Sequence, residues 1–263
     1  MTAPFLDLGI FGAVAAGLFG ATVGSFVNVL IHRLPRGESL VRPGSHCPSC
    51  GAPVRPIDNI PLLSWLALRG RCRVCRAPIS LRYPAVELAN GLLWALVFWR
   101  APSFPDFLSG AFLASACLAL LFIDAEFQIL PDAITLTGIA GGIALSFFSA
   151  TRTPLASLAG ALLGAGVLFL LGYAWEKLRG MEGMGLGDVK MLGMIGAFLG
   201  PWGTLVAVLL ASVAGSVIGL AWIALRGGTL KMRLPFGVFL ALGAIAAFFF
   251  ASPLLERYRS LFP

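Results

Sequence analysis

Along most of this chain apolar residues do not alternate with polar ones; they come in long unbroken runs. The runs cover about residues 9–31, 84–99, 107–123, 133–150, 155–175, 188–200, 203–225 and 235–251. Apolar on all sides, such a run predicts a helix surrounded by lipid or protein. Crossing a bilayer takes roughly 20 residues, fewer where the helix is irregular. The pattern predicts an all-α polytopic membrane protein with about eight transmembrane helices. Two runs are short: 84–99 carries Glu87, and 188–200 opens on Asp188 and stops at "GPWG". Each predicts a broken, tilted or partly exposed helix. The one long polar stretch, 32–83, divides the chain into a first transmembrane helix (1–31), a loop domain (32–83) and a membrane-embedded part (84–263).

Composition agrees. The chain is 58% hydrophobic and 12% charged, where soluble domains average about 25% charged. Its mean hydropathy is +0.90. A large soluble core is excluded. The start, "MTAPFLDLGIFG", has no basic region before the apolar run, so the run reads as a retained span rather than a signal peptide.

A net charge of +7 would suggest nucleic acid in a soluble protein. Here it reads as basic loops that set topology and face anionic lipid, with no nucleic-acid partner. Segment 32–83 alone holds nine arginines. If all eight runs cross, the loops near 124–132, 176–187 and 226–234 share its side and, counting Lys190 one turn inside its helix, add Lys177, Arg179, Lys190, Arg226, Lys231 and Arg233. The other side has only Arg100, Arg152, Arg257 and Arg259. The positive-inside rule places 32–83 in the cytoplasm and both termini outside.

That loop contains Cys47, Cys50, Cys72 and Cys75, two C-x2-C turns with 21 residues between them. Each turn can aim two thiolates at one tetrahedral zinc. Two disulfides or four buried thiols are the other readings; a reducing cytoplasm argues against disulfides. Four thiolates leave no open position, so the zinc is expected to be structural. His46 could substitute as a ligand but reads better as a solvated loop residue. Cys117 reads as a packing residue and His32 as interfacial.

Of twelve acids, five lie at or in apolar runs: Glu87, Asp124, Glu126, Asp132 and Asp188. An ionisable residue at a membrane helix end is a functional hypothesis by default. Asp124 closes "LASACLALLFID" and Asp188 opens "DVKMLGMIGAFLG", and the topology puts both at the cytoplasmic ends of their spans. Two facing carboxylates can share a proton, one acting as base on water and one as acid. The negative helix end beside Asp124 suits the donor. The positive helix end at Asp188, with Lys190 near, suits the base. Asp132, after Pro131, reads as a helix cap. Glu126 reads as a solvated loop acid, and Glu87 as a first-turn residue stabilised by its helix dipole. Capping also competes for Asp188, but Gly183, Gly185 and Gly187 leave room for an extended peptide beside it.

These segments together resemble one family. "GSFVNVLIHRLPRGES" (24–39), the "CPSC…CRVC" loop with "NIPLLSWLALRGRC" (59–72), "ISLRYPAVEL" (79–88), "FIDAEFQILPD" (122–132) and "GMGLGDVKML" (183–192) resemble the bacterial type IV prepilin peptidases of pilus and type II secretion systems. The resemblance implies a GxGD aspartyl protease with Asp124 and Asp188 as catalytic residues, supported by Gly185, Gly187 and Lys190. It implies a prepilin or pseudopilin substrate, cut after a glycine between a basic leader and an apolar helix at the cytoplasmic face of the inner membrane. It further implies methylation of the freed amine with S-adenosylmethionine, to which the cysteine loop is tied. "PFGVF" (235–239) departs from the expected "PFGP" at Val238. Asp124, Glu126, Asp132 and Glu182 are placed to read leader charge. A peptidase without methyl transfer and a proton-coupled transporter are the rival readings. The latter would use Glu87, Asp124 and Asp188 as a relay.

Overall fold

A computed structural model of the chain describes residues 8–180, 185–226 and 235–261. They are helical throughout, apart from loops and two isolated β-bridges. The chain divides into two compact units, one up to Ala101 and one from Pro102.

In the first unit, α1 (Gly9–Arg33) and α3 (Arg82–Arg100) pack along their lengths. Gly12 meets Phe98, Gly20 meets Trp94 and Gly24 meets Glu87, so the two helices run antiparallel. Small residues let the backbones come close, as apolar helices in lipid require. Asn28 Nδ2 donates to the Tyr83 carbonyl at 3.0 Å, and Asn90 Nδ2 to the Gly20 carbonyl at 2.7 Å. Between them runs the polar loop, which includes the short helix α2 (Leu63–Ala67). The buried guanidinium of Arg33 donates to the carbonyls of Ser39 (2.8 Å) and Pro43 (2.7 Å), fastening the loop to the end of α1. Glu87 sits in the second turn of α3 rather than the first, because the helix starts at Arg82.

The second unit holds α4 (Phe104–Phe127), α5 (Asp132–Ser146), α6 (Pro154–Arg179), α7 (Leu186–Arg226) and α8 (Phe236–Leu261). Among the described residues five helices are long and apolar enough to cross a membrane: α1, α4, α6, α7 and α8. α5 is apolar but shorter.

The runs 188–200 and 203–225 fall together on α7. Unbroken, its 41 residues would extend about 60 Å, twice the hydrocarbon thickness. The helix breaks at Gly200, whose φ of 69° and ψ of −178° lie outside the range of other residues. A Cβ at Gly164 on α6 would lie 2.4 Å from the Leu192 carbonyl and 3.2 Å from the Thr204 side chain. In a straight helix those two residues stand about 18 Å apart. The two limbs of α7 therefore fold back on each other.

The reversal leaves carbonyls that the helix cannot satisfy, because Pro201 has no N–H to give Ala197. The Ser157 hydroxyl donates to the Ala197 carbonyl at 2.6 Å, Arg152 Nη1 donates to the Phe198 carbonyl, and Thr204 donates to Gly200 at 2.7 Å. Arg152 also donates to Ser109 on α4 (3.1 Å). Beside it the buried Asp106 carboxylate collects Ser103, Ser149, Thr151 and the Ala150 amide.

Counting both limbs, the unit contains six helical passes of alternating direction. Gly138 and Gly142 of α5 lie against Met194 and Ala197, so α5 runs parallel to the first limb. Gly160 and Gly164 of α6 meet Gly196 and Leu192, so α6 opposes it. Gly243 of α8 packs on Ala207 and Ala211, and Trp202 donates to the Ala251 carbonyl, so α8 opposes the second limb. The end of α4 and the starts of α5, of α7 and of α8 consequently meet at one end of the bundle.

Candidate active site

At that end stands Asp124, one turn before α4 closes on Gln128, which takes a left-handed conformation (φ 53°). Its side chain is buried, 5% exposed. The amides of Gly237 and Val238, at the N-terminus of α8, donate to the carboxylate, the Val238 bond being 3.1 Å long. Amides in a first helical turn have no partner within their own helix, and the helix dipole favours an anion there. Gly237 makes the approach possible, since a Cβ would lie 2.8 Å from Asp124 Oδ2.

Asp188 opens α7 two residues after its start, with its amide bonded to the Gly185 carbonyl (3.1 Å) and its carboxylate turned towards Gly185. It is half-buried. Leu130 lies between the two helix starts: it packs on Gly187 (3.1 Å to an added Cβ) and on Gly237 (3.1 Å). Asp124 and Asp188 are near enough for the charge of one to act on the other. Asp124 is buried and Asp188 half-buried, and both stand at helix ends that meet at one end of the bundle.

Lys190 points elsewhere than at Asp188. Its ammonium bridges both oxygens of Asp132, at 2.8 and 2.9 Å, joining the starts of α5 and α7. Asp132 is the first residue of α5 and does not cap it. Pro131 occupies the capping position, with no side-chain bond to the helix amides. Glu126 is exposed on the last turn of α4. Glu182 and Gly183 lie outside the described residues. The α8 N-terminus was not anticipated as a partner: its donors are backbone amides, which carry no side-chain signature in a sequence.

The loop builds a second, separate cluster. The sulfurs of Cys47, Cys50, Cys72 and Cys75 all lie within 4.8 Å of one another, and Cys47 and Cys75 are 3.8 Å apart. Sulfurs at ~2.3 Å from a tetrahedral zinc stand about 3.8 Å from each other, so the donor set fits such an ion. The two C-x2-C turns are alike. Each first cysteine donates its amide to the residue five positions on (Ala52, Ala77), and each second cysteine is followed by a left-handed residue, Gly51 or Arg76. The Cys50 and Ser49 amides bring the Cys47 thiol down to about 6, and those of Cys75 and Val74 lower Cys72. At Cys75 the Ala77 amide pulls downward, but desolvation and three neighbouring sulfurs prevail and push it up to about 11. Charge on the neighbouring sulfurs thus opposes ionisation of Cys75. His46 is not in the cluster; its Nδ1 faces the Gly44 carbonyl at 3.0 Å. Arg73 grips Asp58 with two bonds (2.8 and 2.6 Å), tying the second turn to the middle of the loop and holding the Asp58 carboxyl below the usual range.

Apolar helices with two aspartates at one end of a bundle and a cysteine cluster in a polar loop define a polytopic membrane protein. Residues 18–101 match the bacterial peptidase A24 N-terminal domain, and residues 111–220 the type IV leader peptidase family. The chain belongs to the type IV leader peptidase family. It is 37% identical to the prepilin leader peptidase/N-methyltransferase of Aeromonas hydrophila, over 93% of each chain. Against the protein of that name from Burkholderia pseudomallei it is 37% identical over 94% of this chain and 90% of the relative. The one from Myxococcus xanthus is 43% identical over 83% of this chain and 66% of the relative. No solved structure matches the chain.

Proposed function

We propose that this chain removes the leader from prepilins or pseudopilins with Asp124 and Asp188 as an aspartic dyad, and then methylates the exposed amine. The convergence of the two aspartates at one end of the bundle, in a chain so similar to named prepilin peptidases, carries the reading. A water between the carboxylates gives a proton to one as its oxygen attacks the scissile carbonyl. The other supplies a proton to the carbonyl oxygen, and the tetrahedral species collapses as the leaving amine is protonated. The carboxylates exchange one proton and titrate as a pair, so roles belong to the dyad rather than to either residue. The Val238 amide holds Asp124 Oδ2, leaving Oδ1 for the water. Gly185 and Gly187 give an extended peptide room beside Asp188.

The dyad lies at the cytoplasmic face of the bacterial inner membrane. All eight apolar runs cross, with the regions before α1 and after α8 facing the periplasm; the arginines of 32–83 and the alternating passes of the second unit support this orientation. Cys47, Cys50, Cys72 and Cys75 hold a structural zinc that fixes the loop. S-adenosylmethionine supplies the methyl group for the second reaction.

The mass of the product tests the whole reading. A model prepilin incubated with membranes and S-adenosylmethionine yields a mature chain heavier by one methyl group. A mature chain without added mass leaves a peptidase only; an intact prepilin refutes the proposal.

A further inference from the structure

The first unit carries an apolar surface that its own packing leaves uncovered. Residues 56–67 wind through a 3-10 turn into α2. One face of this segment is used: Trp65 Nε1 donates to the Ile79 carbonyl at 3.2 Å, and its ring lies on Gly70. Ser64 also turns inward, bonding the carbonyls of Ile57 and Ile60. The other face presents Ile57, Ile60, Leu63 and Leu66, which are 66%, 45%, 64% and 64% exposed. Four exposed large aliphatic side chains within ten residues of one loop, rather than scattered singly along the chain, mark a contact surface.

Depth identifies what covers it. The Leu62 amide, at the start of α2, donates to Glu87 Oε2 at 2.8 Å. Glu87 packs on Gly24, which lies about 13 Å along α1 from Arg33 at 1.5 Å per residue. α1 itself is 25 residues long, about 37 Å, against a hydrocarbon core of about 30 Å. With α1 across the bilayer, the level of Gly24 and Glu87 falls inside the acyl region. α2 is pinned to that level from the side, and its free face is apolar. Charge agrees. Exposed Arg55, Arg69 and Arg71 flank the segment, and the loop's nine arginines face only Glu38 and Asp58 among acids. Arginine stems lie along apolar surface while their heads reach phosphate.

We propose that residues 57–66 form a membrane foot. Ile57, Ile60, Leu63 and Leu66 enter the acyl region of an anionic phospholipid leaflet, and Arg55, Arg69 and Arg71 meet its phosphates. The foot fixes the height of the cysteine cluster above the bilayer. It depends on α1 crossing the membrane and not on the peptidase reading.

The test uses the full chain in nanodiscs of equal parts phosphatidylcholine and phosphatidylglycerol. A nitroxide is attached through a keto-bearing unnatural amino acid at position 63, 66 or, as a water-facing control, 45. Collision with oxygen, which partitions into lipid, is compared with collision with a water-soluble nickel chelate. Positions 63 and 66 should favour oxygen several-fold, and position 45 the chelate. Chelate-favoured collisions at 63 and 66 would put the face in water, and shielding from both reagents would put it against protein; either overturns the proposal. An unsubstituted chain guards against misfolding of labelled variants. Phosphatidylglycerol with a photoreactive acyl chain should leave adducts on residues 57–66, and adducts on α1 without any there would also overturn it.

Discussion

Asp124 occupies the end of α4, where the carbonyls of its own helix repel a negative charge. The start of α8 answers with two amides. Taken each on its own helix, Asp124 suits the donor and Asp188 the base; the start of α8 adds a third helix end to that balance. Position 238 is informative because the resemblance leads one to expect proline there, which has no N–H. Val238→Pro fits a first helical turn sterically and removes one of the two donors. It should lower kcat by about tenfold or more, since one bond to a charged group contributes roughly 1.5 kcal/mol or more. Gly237→Ala drives a Cβ into the carboxylate and should cost much more. Cleavage kinetics on both variants check the order; Gly237→Ala with normal kcat would show that the cradle does not matter. Lys190 and Asp132 are 58 residues apart in sequence, and local spacing suggested Asp188 as the lysine's neighbour. Only the parallel packing of α5 and the first limb of α7 brings the true pair together.

At the level of elements, the break in α7 decides where Asp188 stands. "GPWG" made the interruption legible, but not how its carbonyls are satisfied. In the sequence Arg152 is only a charge on the far side of the membrane, and Ser157 has no pattern that marks it as a cap. Ser157→Ala leaves the Ala197 carbonyl buried without its donor, which costs about 1–3 kcal/mol. A lower Tm in detergent, with reduced cleavage because the first limb carries Asp188, is the expected result. An unchanged Tm would mean that the cap contributes nothing. The cysteine loop is legible for the opposite reason: C-x2-C spacing determines local geometry, and the two turns repeat one backbone pattern. Zinc must displace protons from its ligands. Above about 6 the Cys47 thiol has lost its proton, whereas Cys75 keeps one until about 11. Apparent zinc affinity should therefore rise by about tenfold or more per pH unit from about pH 6 to pH 8. Competition with a chelator across that range checks it; a flat profile would contradict thiolate ligation.

For the whole molecule, hydrophobic runs mark the long helices: among the described residues each run overlaps one helix or one limb of a broken one, while α2 lies in no run. They did not show how helices group. On sequence, residues 84–99 stood with the part that carries the aspartates, yet α3 packs on α1. All-apolar helices carry little directional pattern, and their pairing is set by where glycines permit close approach, as at Gly160 and Gly196. That Asp124 and Asp188 stand at the same end of the bundle follows from alternating passes, which bring every second helix end to one side. Their meeting is the centre of the account, and one comparison tests it most directly: prepilin cleavage by Asp124→Asn, Asp188→Asn and Asp132→Asn chains of equal abundance in the membrane. The account predicts a loss of about a thousandfold or more in kcat for each of the first two and retained activity for Asp132→Asn. Near-normal cleavage by either Asp124→Asn or Asp188→Asn would contradict it.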